Sequence, residues 1–255
     1  MLLDIKTVQS SAFKTLIEAM KDILIEASFE FDSTGMKVMA MDNSHVVLLY
    51  VRLNASNFES YTCERPISIG VHMSNMYKII RTMNSNDTLS LFLEESNINV
   101  LGIKIENSEK NSITKYQLNL MDLDQIRITV PKAQFDSVLT IPSVDFQKHI
   151  RDMSIISDKI DISSVGSKLI LSCKGDFASQ ETIIGETSGG MSFVKNACPE
   201  DIIQGVFSLK HLLLFTKCTN LSPSIQMYLK NDYPLIINYG VANLGEIRLC
   251  LSPKV

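Results

Sequence analysis

Residues 10–23, SSAFKTLIEAMKDI, and residues 143–153, SVDFQKHIRDM, decide how this chain is read. Phe13, Ile17 and Met20 fall on one stripe in the first segment. Phe146, Ile150 and Met153 fall at the same intervals in the second, so each segment predicts a helix with one apolar face. Ser10 and Ser143 stand where N-caps are expected. The two segments match position for position, 133 residues apart from Phe13 to Phe146. A second pair repeats the relation about 136 residues apart: 72–82 with Met73, Met76 and Ile80, and 208–218 with Leu209, Leu212, Leu213 and Thr216. Self-similarity at a long fixed period predicts internal duplication.

Away from these helices the sequence reads as short strands separated by turn residues. Segments 35–41, 88–93, 168–172 and 224–229 alternate or run apolar over strand length. Residues 121–133, MDLDQIRITVPKA, have no sustained period and contain Pro131, which predicts an extended connector. The expected architecture is α+β: similar domains at 1–120 and 134–255, each with antiparallel sheet and two helices, joined by 121–133. A chain of 255 residues with 45% in the hydrophobic set is long enough for two such cores.

Composition excludes several classes. The charged fraction is 20% and no low-complexity tract occurs, so a folded chain is expected throughout. No stretch approaches the length of a membrane span, and the start MLLDIK lacks the pattern of a signal peptide, which predicts a soluble protein with no membrane partner. Cys63, Cys173, Cys198, Cys218 and Cys250 are odd in number and never form C-x-x-C, so neither a disulfide framework nor a zinc site is suggested. No phosphate-binding loop, dinucleotide turn or nucleophile elbow is present. The pair Gly189 and Gly190 reads as a turn, and His45, His72, His149 and His211 form no ligand spacing. The chain is expected to be no enzyme and to need no cofactor.

Charge is distributed unevenly. The whole chain carries −4, yet the four helical windows hold eight bases (Lys14, Lys21, Lys78, Arg81, Lys148, Arg151, Lys210, Lys217) against four acids (Glu18, Asp22, Asp145, Asp152). The windows net +4 and the remainder −8. A helix lying on a sheet turns its polar face outward, so these bases predict a basic helical surface on an acidic protein. With no base-reading motif, what they predict is weak, sequence-independent, salt-screened attraction to phosphates.

The sequence also resembles the proliferating cell nuclear antigen family, the eukaryotic-type DNA sliding clamps, over essentially its whole length. The matching blocks are EAMKDIL at 18–24, MDNSHVVLL at 41–49, YTCERPISIGV at 61–71, LMDLD at 120–124, IRDMS at 150–154 and LSPKV at 251–255. The resemblance implies a DNA-clamp fold in which three chains close head to tail into a pseudo-sixfold ring with helices lining the hole. Its implied partners are double-stranded DNA, DNA polymerase, a clamp loader, other proteins carrying clamp-binding peptides, and the chain itself as a homotrimer. The eight helical bases fall at or near DNA-facing positions, with Lys6 joining them. The peptide pocket maps to Met41, His45, Val46, Ile128, Val130, Pro131, Pro234, Ser252 and Pro253, and the subunit boundary to Tyr116 and to Ser179, Glu181 and Ile183 in 177–185.

Three departures stand out: Cys250 replaces an aromatic usual near the pocket, the acidic tail after Pro-Lys is missing, and Gly166 occupies a modifiable lysine position, with Lys168 two residues away. They suit a divergent cellular clamp, working in replication and repair in the nucleus, or a clamp encoded by a large DNA virus at its replication site. Two alternatives share part of the pattern: a checkpoint-type clamp subunit that assembles only with unlike chains, and a monomeric polymerase accessory protein.

Overall fold

The computed structural model describes residues 1–123, 128, 133–196 and 201–254. The chain forms two compact units. The first comprises Met1–Asn43, Leu49–Ile128 and Gly240–Ile247, and the second Ser44–Leu48, Thr129–Tyr239 and Arg248–Val255.

In chain order the first half runs β1 (Leu3–Thr7), α1 (Ser10–Ile23), β2 (Glu26–Asp32), β3 (Gly35–Met41), β4 (Val47–Asn54), β5 (Ser60–Cys63), β6 (Ile67–His72), α2 (Met73–Ile80), β7 (Thr88–Leu93), β8 (Val100–Asn107) and β9 (Ser112–Asn119). The second half runs β10 (Ser137–Pro142), α3 (Ser143–Ser154), β11 (Lys159–Val165), β12 (Lys168–Lys174), β13 (Ser179–Gly185), β14 (Ser192–Asn196), β15 (Ile203–Ser208), α4 (Leu209–Phe215), β16 (Ser224–Leu229), β17 (Leu235–Val241) and β18 (Gly245–Leu251). The two orders of strands and helices are the same.

The sheets repeat as well. The first unit has β5-β1-β7-β8-β9 and, in sequence across a sheet, β4-β3-β2-β6; the second has β14-β10-β16-β17-β18 and β13-β12-β11-β15. Adding nine to each strand number of the first unit yields the second. Every pairing with a resolved register is antiparallel, for example Phe29 opposite Val38 in one hairpin and Ile162 opposite Leu171 in its counterpart.

Apolar periodicity explains these elements. In β2, Ala27, Phe29 and Phe31 point into the core while Glu26, Glu30 and Asp32 face out, as a strand covered on one face requires. In α1 the stripe Phe13, Leu16, Ile17 and Met20 is fully buried, and α3 buries Phe146, Ile150 and Met153. The tight β2–β3 turn ends at Gly35, whose φ of 139° and whose position against the Leu53 carbonyl, 2.0 Å from an added Cβ, leave no room for a side chain.

The two serines are not N-caps. The capping positions are Gln9 and Pro142, neither with a side-chain cap bond, and Ser10 and Ser143 are buried first residues of their helices. Their hydroxyls reach to the loop that follows the second helical segment of the same unit. Ser10 Oγ donates to the carbonyls of Asn84 (3.2 Å) and Ser85 (3.4 Å), and Ser143 Oγ donates to Ser222 (2.6 Å). The same long-range tie in both units is a chemical signature of the duplication. The stripe assigned to 208–218 also shifts: α4 ends at Phe215, which is buried, and Thr216–Leu221 continue as a 3₁₀ turn.

Candidate nucleic-acid and partner interfaces

The first unit presents α1 and α2 side by side. Lys14 and Lys21, two turns apart on α1, lie in the seam with α2. Lys14 Nζ donates to the Met83 carbonyl at 2.9 Å; Lys21 pairs with Asp22 and sits 4.8 Å from the centre of the Tyr77 ring. Both are half-buried, so part of their hydrogen-bonding capacity is spent inside the unit. Lys78 and Arg81, on α2 and its C-cap, are exposed. In the second unit Lys148 and Arg151 of α3, Lys210 of α4 and Lys217 of the following turn are exposed. Burial lowers the pKa of His149 against the opposing pull of Asp145 and Asp152, so it adds no full cation to this surface at neutral pH.

Lys6 is not grouped with these bases. In β1 the residues Leu3, Ile5 and Thr7 are buried and Asp4 and Lys6 are exposed, which turns Lys6 to the sheet face away from the core into which the helices pack. Its ammonium lies 3.9 Å from Glu106, which also binds Lys104 at 3.0 Å.

The residues assigned to peptide binding distribute as follows. Met41 ends β3 and is 37% exposed, and Ile128 is half-buried; both belong to the first unit. In the second unit, His45 adopts a positive φ of 55°, Val46 accepts a backbone bond from Ser252 at 3.0 Å, and Pro234 and Pro253 are half-buried. Val130 and Pro131 lie outside the described residues. The C-terminal segment continues past Pro253, where Lys254 N donates to the Val206 carbonyl of β15 at 2.8 Å. In the first unit Met121 N makes the matching bond to Gly70 of β6 at 2.9 Å, so each half ends by stitching itself to the same strand of its unit.

Strand edges complete the picture. Tyr116 lies on β9, the edge of its sheet, with its hydroxyl 3.3 Å from that of Thr82. Ser179, Glu181 and Ile183 are the exposed phase of β13, an edge strand of the second unit. β4, which holds the place of β13 in the first unit, has its edge covered by the 240–247 segment: Asn54 N bonds the Leu244 carbonyl at 2.9 Å.

A polar cluster not signalled by any motif lies beside β9. The Asp87 carboxylate is 3% exposed and accepts from Asn84 N (2.8 Å), Asn84 Nδ2 (3.1 Å) and Asn107 Nδ2 (2.6 Å). Burial pushes its pKa up, but these hydrogen bonds outweigh burial and hold it below the ordinary carboxylate range. Burial drives the thiols of Cys218 and Cys250 to about 12 and about 11, which keeps both protonated and unreactive at neutral pH. Among the described residues no group of three or more His, Cys, Asp or Glu could hold a metal, and no helix is long and apolar enough to cross a membrane.

Known proteins match this arrangement at full length. The N-terminal domain model of proliferating cell nuclear antigen matches residues 2–127 and its C-terminal domain model matches 129–254. A protein of Paramecium bursaria Chlorella virus 1 described as a probable DNA polymerase sliding clamp is 34% identical over 256 residues, covering 99% of this chain and 97% of its own. Duplicated sheets, paired helices and these matches together establish that the chain belongs to the proliferating cell nuclear antigen family of DNA sliding clamps.

Proposed function

We propose that three copies of this chain close head to tail around duplex DNA and act there as a non-enzymatic tether for DNA polymerase. The observation that carries the reading is the pair of uncovered strand edges in a duplicated fold. Among the described residues the edge of β4 is covered by the 240–247 segment, while no strand pairs with the outer edge of its counterpart β13 or of β9. If β9 of one copy takes β13 of the next, every sheet edge of that kind is satisfied. A head-to-tail contact that closes makes a ring in which neither of these two edges is left open.

In such a ring the exposed bases of α2, α3 and α4 face the phosphates. Lysines and arginines without base-reading geometry suit a surface that must slide. Topological enclosure, not tight binding, then keeps the protein on DNA. Met41, His45, Val46, Ile128, Val130, Pro131, Pro234, Ser252 and Pro253 form the docking site for partner peptides, among them those of a polymerase and a clamp loader. The viral relative favours a viral replication site over a cellular nucleus.

The first test is mass in solution. The chain alone is expected at three times 28.5 kDa, whereas a checkpoint-type subunit or an accessory monomer stays at one. The fourfold variant Lys78→Ala, Arg81→Ala, Lys148→Ala, Arg151→Ala is expected to keep that mass and lose loading on DNA. The salt slope of its DNA association should fall by about 0.9 for each phosphate contact removed. Unchanged loading removes these residues from the DNA-facing surface. Replacing Ile128 and Val130 with Ala is expected to weaken peptide binding by about 1 kcal/mol or more while leaving assembly intact, measured by titration calorimetry.

A further inference from the structure

The edges of β9 and β13 carry opposite charge, and the charge is organised in rows that run across the sheets to the edge. In the first unit Lys6 lies opposite Ser90, Ser90 opposite Lys104, and Lys104 opposite Lys115 on β9. Glu106 serves Lys6 and Lys104. Among the described residues no carboxylate lies within ion-pair distance of Lys115, which is exposed and faces a like charge across the strand. In the second unit the corresponding row is Val206, Asp161, Ser172 and Glu181, ending on β13. Glu181 has no ion-pair partner among the described residues. The turns flanking β13 add Asp176 and Glu186; Lys159 and Lys174 stand in the adjoining row. The β13 edge strand itself holds only an acid, and the β9 edge strand only a base.

We propose that Lys115 and Glu181 are specificity determinants of self-association: the basic edge of β9 accepts the acidic edge of β13 from a second copy of this chain, and each edge rejects its own kind. The proposal rests on the head-to-tail reading above and assigns its polarity. Ile113 and Lys115 share the outward face of β9, and Glu181 and Ile183 share that of β13. An antiparallel register that brings Ile113 over Ile183 sets Lys115 opposite Glu181. A slip of two residues leaves the pair diagonal, still within reach of a lysine side chain. Pairing β9 with β9, or β13 with β13, sets lysine against lysine or glutamate against glutamate, which is destabilising in a sheet. The unpaired Lys115 thus gains a counter-ion only in the correct assembly, and the wrong ones are selected against by repulsion.

A charge exchange tests this. K115E and E181K are each expected to raise the concentration for half-assembly about tenfold or more at low salt, since like charges then meet or attraction is lost. The double variant K115E/E181K is expected to reassemble, which also shows that neither change prevents folding. Mixed with wild-type chain carrying a mass tag, it is expected to form only unmixed rings in native mass spectrometry. Statistical mixing of the two, or single variants that assemble like wild type, overturns the proposal. A wild-type chain that stays monomeric at all concentrations overturns the ring reading itself, and the assignment with it.

Discussion

Asp87 shows how a single side chain holds together a region that the sequence presents as a featureless loop. Three donors from Asn84 and Asn107 converge on a carboxylate that water cannot reach, and they join the end of α2 to the β8–β9 hairpin. Because its folded pKa is depressed, its contribution is present above its ordinary pKa of about 3.9 and is lost as pH falls through the folded value. Asp87→Asn turns an amide donor toward donors and is expected to cost about 1–3 kcal/mol at pH 7. Urea denaturation at pH 7 and in acid, below the ordinary carboxylate range, should show that deficit narrowing as the wild-type carboxyl protonates as well. A deficit of equal size at both pH values contradicts the assignment. Nothing in the sequence around Asp87 announces the cluster, because its members are brought together from positions 20 residues apart only once the hairpin has formed.

At the scale of elements, local periodicity was highly legible and long-range chemistry was not. The strands 35–41, 88–93 and 224–229 and the helix 10–23 have the bounds that their apolar patterns predict, since burial on one face is what writes the pattern. Ser10 and Ser143 were misread as caps for the opposite reason: a serine before an apolar stripe fits a local rule, while the acceptors it uses lie 74 and 79 residues away. Lys6 was separable from the helical bases by sequence, because the alternation Leu3, Ile5, Thr7 already placed it on the other face of β1. The serine ties make a further prediction. Ser10→Ala and Ser143→Ala each remove a buried hydroxyl's bond to a loop carbonyl and should each cost about 1 kcal/mol, read from the denaturation midpoint. The two serines belong to separate units and share no hydrogen-bond partner, so the double variant should show the sum within about 0.5 kcal/mol.

For the whole molecule, duplication explains both what is satisfied inside the chain and what is left for assembly. Each half buries its own core and stitches its end to one strand, by Met121 to Gly70 and by Lys254 to Val206. The sequence revealed the duplication through two helix pairs, and the family through LMDLD and the blocks around it. Which edges stay open was hidden until strand order was known, and with it the opposed charges of Lys115 and Glu181. A protein that is acidic overall yet basic on its helices can hold DNA only loosely by charge, so retention must come from enclosure. The most direct measurement is the lifetime of the loaded protein on a closed circular duplex before and after a single double-strand cut. Enclosure predicts long retention on the circle and rapid loss from the new ends; equal retention on circular and linear DNA would contradict it.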